Sequence, residues 1–135
     1  MYQQMIFVNL AVDDLEAAKK FYTGLGYSIN EQFSDETAAS VVISDTIFAM
    51  LLTRQKYAQF TKKEIVDSTK SSEVLLALSA ASREEVDAMV DRAVAAGGSV
   101  TGETQDHGFM YGRSFDDIDG HTWEVVWMDP AAVEG

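Results

Sequence analysis

Few side chains in this sequence are equipped for chemistry. None of the 135 residues is cysteine, which removes thiol nucleophiles, thiolate metal sites and disulfides together. Two imidazoles are present, His107 and His121. His121 precedes Glu124 by three positions, so alternation along a strand would point the two side chains to opposite faces, and His107 falls in a loop ahead of a strand. Each reads as a surface or loop-bracing histidine, because a metal site needs several converging donors. Glu124 is different. It interrupts the apolar run Thr122–Met128, and a carboxylate among apolar neighbours is a candidate general base or anchor for a polar ligand group. The alternative is structural, a hydrogen bond to Asn9 or Arg113.

The elements that must position these residues follow from local patterning. Residues 5–12 form a β-rich run ending at Asp13-Asp14, either of which can cap a helix by accepting its first free amide hydrogens. Leu15, Ala18, Tyr22 and Leu25 then recur at helical spacing, with Gly24 and Gly26 as terminators. Strands are expected at residues 27–33, 39–43 and Ile47–Thr53, separated by polar turns. Residues 72–79 start the same series again. Ser82 and Glu85 make a capping box, and the helix behind it carries Val86, Met89, Val90 and Ala93 on one face. Gly97-Gly98 stops it, and strands follow at 99–103, 109–115 and Thr122–Met128. Both halves read β-α-β-β-β. Phe7 and Leu75 stand at equal distances before the caps Asp14 and Ser82, and Leu51 and Glu124 fall at matching places in the last strands. The fold class is therefore α+β, a single domain over 1–135 with module one at about 1–53, a connecting segment at about 54–71 and module two at about 72–129.

The connecting segment is too polar for a strand and has room for a short helix around 56–60. It holds Arg54, Lys56, Lys62, Lys63 and Lys70, half of the ten lysines and arginines. It reads as a solvated linker; a lid attracting an anionic ligand is the functional alternative. Elsewhere acid dominates. A net charge of −12 repels phosphate backbones and anionic lipid, and no basic stripe offsets it, so neither nucleic acid nor membrane is an expected partner. Apolar residues at 47% and charged residues at 24%, with one proline, describe an ordered globular chain. No apolar stretch approaches membrane-span length and no basic leader opens the sequence, so the expected location is cytoplasmic.

The segment from Val8 through Asn9, Val12, Asp14 and Leu15 to Phe21-Tyr22, followed by Gly24-Leu25-Gly26, resembles the opening strand and helix of the vicinal oxygen chelate superfamily of glyoxalases, bleomycin-resistance proteins and dioxygenases. Phe115-Asp116-Asp117-Ile118-Asp119-Gly120, running into Glu124, resembles its closing hairpin. The stretch Gly108-Phe109-Met110-Tyr111-Gly112-Arg113 is similar to a bacterial subgroup called predicted lactoylglutathione lyase.

The resemblance implies that two βαβββ modules curl their sheets into a cup with helices outside, and that members often form homodimers. It also implies four equivalent positions that hold a divalent ion in the metalloenzymes. These fall here on Phe7, Leu51, Leu75 and Glu124, three of them hydrocarbon, so no metal or other cofactor is expected. A one-residue shift to Met50, Leu52, Val74 or Leu76 supplies no better ligand, and Glu73 would need a two-residue slip. By alternation Asn9 joins Phe7, while Thr53 and Thr122 join Leu51 and Glu124. Tyr111 and Arg113 share one face of their strand, which face being open. The expected ligand site is thus Phe7, Asn9, Leu51, Thr53, Leu75, Glu124 and Tyr111 or Arg113, a largely apolar surface suited to a small molecule. The leading expectation is a small-molecule binder; a lyase or isomerase of glyoxalase type with Glu124 as proton shuttle, or a dimeric module with a filled cup, are the alternatives.

Overall fold

Asp14 settles where the first helix begins. Its carboxylate accepts the amide of Ala17 at 3.1 Å, and α1 (Leu15–Gly24) runs from there until Gly26, at φ 103°, turns the chain into a conformation that side chains resist. The second half uses the capping box. The Ser82 hydroxyl accepts the Glu85 amide at 3.1 Å, and the Glu85 carboxylate reaches back to the Ala81 amide at 3.2 Å, starting α3 (Arg83–Ala95).

The structure is a computed structural model and describes residues 2–133. The fold is α+β, with two four-stranded mixed sheets, and the chain divides into two compact units, Met1–Asp67 and Ser68–Gly135. The first holds β1 (Ile6–Val12), α1, β2 (Ser28–Asn30), a 3-10 turn (Glu31–Phe33), β3 (Ala38–Val42), β4 (Ile47–Thr53) and α2 (Arg54–Tyr57). The second holds β5 (Leu76–Ser79), α3, β6 (Ser99–Asp106), β7 (Met110–Asp116), β8 (Thr122–Met128) and α4 (Pro130–Val133). Strand order is β1-β4-β3-β2 in one sheet and β5-β8-β7-β6 in the other. In each, the first strand of the unit pairs parallel with the last and the other pairs are antiparallel. The β-α-β-β-β duplication is therefore a repeat of topology. No helix among the described residues is long and apolar enough to cross a membrane.

Several boundaries differ from expectation for local reasons. The strand expected at 27–33 ends at Asn30, whose side chain accepts the Gln32 amide at 3.1 Å and folds the next residues into the 3-10 turn. The strand expected from residue 72 begins only at Leu76, and β6 runs past Glu103 to Asp106 across a register shift between Thr101 and Gln105. The short helix after β4 starts at Arg54 instead of Lys56, because the Thr53 hydroxyl caps it by accepting the Lys56 amide at 3.2 Å. Beyond it, the connecting segment is tied down by Arg54, which donates to the Ile65 carbonyl at 3.3 Å, and by the Ser68 hydroxyl, which donates to the Asp119 carbonyl at 2.6 Å.

Candidate functional site

Strand pairing decides which side chains share a face. In the second unit, the Tyr111 hydroxyl and the Arg113 guanidinium both donate to the Asp87 carboxylate on α3, at 2.7 and 3.0 Å. Tyr111, Arg113 and Phe115 of β7 therefore lie on the α3 side, together with Trp123, Val125 and Trp127 of β8 by register. Ser114 pairs with Glu124, and Glu124 with Ala77 of β5, so these occupy the opposite face, and Thr101 of β6 extends the row by pairing with Ser114. Glu124 is half-buried, and its carboxylate makes no hydrogen bond or ion pair among the described residues.

The Gly108–Arg113 stretch is accordingly a brace for α3. Arg83, at the start of that helix, donates two hydrogen bonds of 2.9 Å to Asp106 and one of 2.9 Å to the Gly108 carbonyl, closing the β6–β7 hairpin. Its guanidinium lies 5.0 Å from the Tyr111 ring centroid and 5.2 Å from that of Trp127. These bonds hold the Asp106 carboxyl down at about 2, with the Arg83 hydrogen bonds the largest cause. Asp87 is also lowered, first by the Tyr111 hydroxyl, and the same bond raises the Tyr111 phenol. Tyr111 and Arg113 are thus placed with helix α3 and away from the face that carries Glu124.

In the first unit Phe7 pairs with Phe48, Asn9 with Met50, and Met50 with Ser40, giving one face; Leu10, Val12, Ala49, Leu51 and Thr53 form the other. Leu51, Ala49, Ala39 and Val41 are fully buried, as is Ala18 of α1, and Phe21 and Tyr22 of that helix nearly so; this is the core face. The expected grouping of Leu51 with Phe7 is corrected by one residue: Met50 shares the face of Phe7 and Asn9, and Leu51 faces inward. Both faces of β4 are apolar, so sequence alternation could not choose between them. Thr53 likewise goes with Leu51, and its hydroxyl is used as the α2 cap. Phe7 and Asn9 do share a face, on which the Phe7 and Phe48 rings stack with centroids 5.1 Å apart and planes 13° from parallel. Leu75 lies outside β5 and is 62% exposed; Ala77 is the residue that pairs with Glu124.

Register also sharpens the repeat. The row Asn9, Met50, Ser40 in the first sheet corresponds to Ala77, Glu124, Ser114 in the second, each crossing the first, last and next-to-last strands of its unit. Ala77, Ser114, Thr101 and Phe48 escaped sequence reasoning, and Met50 entered it only as a one-residue shift, because small or apolar residues on strands carry no chemical signal of their own.

Neither row supplies a metal's donor set. The first row offers Asn9, Met50 and Ser40 and the second a single carboxylate, Glu124, between Ala77 and Ser114, and no group of three or more histidine, aspartate or glutamate side chains suited to a metal occurs among the described residues. His107 sits beside Phe109, ring centroids 6.4 Å apart, and the His121 amide donates to the Asp117 carboxylate at 2.9 Å in the tight turn after β7. The chemistry of the donors present does not fit the divalent ion of the metalloenzymes.

The sequence of residues 4–125 matches the family model described as the Glyoxalase/Bleomycin resistance protein/Dioxygenase superfamily. No functionally curated protein matches. Among solved structures, a hypothetical protein from S. aureus is 32% identical, with 94% of this chain and 95% of that chain covered and a TM-score of 0.77. A glyoxalase-related enzyme from Fulvimarina pelagi shares 24% identity over 93% of this chain and 88% of its own, with a TM-score of 0.76. The fosfomycin resistance protein FosX from Listeria monocytogenes shares 21% over 94% and 92%, with a TM-score of 0.66. The latter two likenesses are of fold alone. With a family match over most of its length and the duplicated β-α-β-β-β topology, the chain belongs to the glyoxalase/bleomycin resistance protein/dioxygenase superfamily.

Proposed function

We propose that the protein binds a small molecule on the face of the second sheet that carries Glu124, and that it does so without a bound metal. The observation that carries this reading is the Glu124 carboxylate itself: half-buried in mid-strand, with no partner among the described residues, and flanked in register by Ala77 and Ser114. A buried polar group ordinarily has a partner in the protein or in water. An arrangement that leaves one accessible between small side chains suits a group that meets a ligand. The repeat-related Met50 and the hydrocarbon Phe7 offer a divalent ion nothing comparable.

A second reading, a lyase or isomerase of the lactoylglutathione lyase kind, draws on the same carboxylate, which is placed to accept a proton from a bound substrate. Metal dependence separates the two. Protein purified without chelator is expected to carry no stoichiometric divalent ion, and zinc, nickel or manganese to leave the thermal midpoint of both wild type and Glu124→Gln unchanged, since nothing then binds the native state preferentially. Native mass spectrometry is expected to find a co-purified small molecule. A saturable midpoint rise with metal in the wild type, absent in the variant, would make Glu124 a metal ligand and put the lyase first.

A further inference from the structure

The hydroxyls around Glu124 have their protons occupied, and chemistry fixes the direction of each bond. The Ser114 hydroxyl lies 2.6 Å from the Thr101 carbonyl, which can only accept, so Ser114 donates its single proton there. The Thr101 hydroxyl, 3.0 Å from the Ser114 oxygen, must then be the donor in that contact. In the next row the Thr122 hydroxyl lies 2.6 Å from an Asp116 carboxylate oxygen and donates to it. The three hydroxyls nearest Glu124 by register therefore leave only lone pairs for a ligand. The backbone hydrogens of β7 and β8 serve the sheet.

Positive charge is missing from this face as well. It presents Ala77 and Ser79 on β5, Thr122, Glu124, Val126 and Met128 on β8, and Met110, Gly112, Ser114 and Asp116 on β7. None is lysine, arginine or histidine, and Arg113 is turned to Asp87 on the other side. Around Glu124 the neighbours are small. Ala77 and Ser114 flank it, and Gly112 stands in the adjoining row, where an added methyl would already touch the Val126 side chain at 3.6 Å. An approaching group thus reaches the carboxylate without displacing a bulky side chain.

We infer that the ligand of this face carries a protonated amine, which docks on the Glu124 carboxylate, and that carboxylate, phosphate and phosphonate ligands are rejected there. This rests on the reading that the face binds a small molecule, and it adds the charge class. An ammonium brings donors and a positive charge to a surface whose side chains, Ser79 apart, offer acceptors only. An anion would meet Glu124 and Asp116 with no cation and only the Ser79 hydroxyl, two residues along β5 from Ala77, to compensate, and the net charge of −12 favours the cation at long range too.

Three probes of similar apolar body test it: phenethylamine, phenethyl alcohol and hydrocinnamate, titrated at neutral pH and low salt into the full chain while amide NMR shifts are followed. Phenethylamine is expected to move the Ala77, Ser114 and Glu124 amides and to bind about tenfold or more tightly than the alcohol, the advantage of a charge-assisted hydrogen bond, with hydrocinnamate weakest. Glu124→Gln is expected to bring the amine to the level of the alcohol. Ala77→Lys, at an exposed position in register with Glu124, should do the same by supplying its own ammonium, and it serves should the glutamine variant fold poorly. Equal or tighter binding of the alcohol or hydrocinnamate at these amides, or an amine preference that survives both variants, would overturn the charge class and leave the binding face standing. Shifts elsewhere only, with all three probes, would remove both.

Discussion

Gly120→Ala should be among the costliest single-methyl changes in the molecule. Gly120 closes the turn after β7 with φ at 88°, a backbone conformation that costs an L-residue about 1–2 kcal/mol. A Cβ there would sit 2.6 Å from the Ser68 carbonyl oxygen, 2.8 Å from its carbon and 2.9 Å from the Thr69 Cα, all backbone atoms that cannot rotate away. Moving that strand of chain is an overpacking cost of about 1–3 kcal/mol. The displacement also stretches the 2.6 Å bond from the Ser68 hydroxyl to the Asp119 carbonyl, worth about 1 kcal/mol. Together these amount to about 3–6 kcal/mol, a large part of the roughly 5–15 kcal/mol that holds an average domain. Gly26→Ala is the control. Its φ is 103° but nothing lies within 4 Å of an added Cβ, so only the backbone cost of about 1–2 kcal/mol applies. Urea unfolding followed by the fluorescence of Trp123 and Trp127 would measure both. Equal losses in the two variants would refute the claim that Ser68 packs against the turn, and with it the anchoring of the connecting segment.

Leu51→Ala, at a fully buried site on the core face, should cost about 3 kcal/mol by thermal or chemical denaturation, whereas Phe7→Ala, at a residue 51% exposed, should cost about 1 kcal/mol, mainly its stacking on Phe48. Asp87→Ala removes the acceptor of both Tyr111 and Arg113 and should destabilise by about 1–2 kcal/mol, whereas Tyr111→Phe, which leaves the Arg113 bond in place, should cost less than half as much. The Asp106 carboxyl sits at about 2 in the folded protein against an ordinary 3.8, so its contribution is complete above pH 4 and fades as pH falls from there toward 2. Asp106→Asn should therefore lower the midpoint at pH 6 and converge on the wild type near pH 2; a constant gap across that window would exclude the carboxylate as the cause.

How much of this was legible beforehand varies with the interaction that decides each feature. The capping residues Asp14, Ser82 and Glu85 act within one turn of chain, so helix starts could be read from residue type and spacing. Asn30 acts just as locally, yet its side-chain bond to Gln32 competes with strand pairing, and the spacing of Tyr27, Ile29 and Phe33 read as one strand straight through it. The duplicated order of elements, and membership of the superfamily that goes with it, were equally written in pattern and motif.

The faces were not. Alternation says that Phe7 and Asn9 go together, and that Tyr111 and Arg113 do, but not which pair meets Met50 or Glu124. That depends on hydrogen bonding between strands far apart in sequence, where a shift of one residue exchanges every side chain between core and solvent. The sequence alone determined the helix caps, the repeat, the family and the poverty of metal donors, because each depends on residue identity or on contacts within a few residues. Only the tertiary structure decided that Leu51 and Thr53 turn inward, that Asp87 claims Tyr111 and Arg113, and that Glu124 stands beside Ala77 and Ser114, because each of those follows from pairing across the sheet.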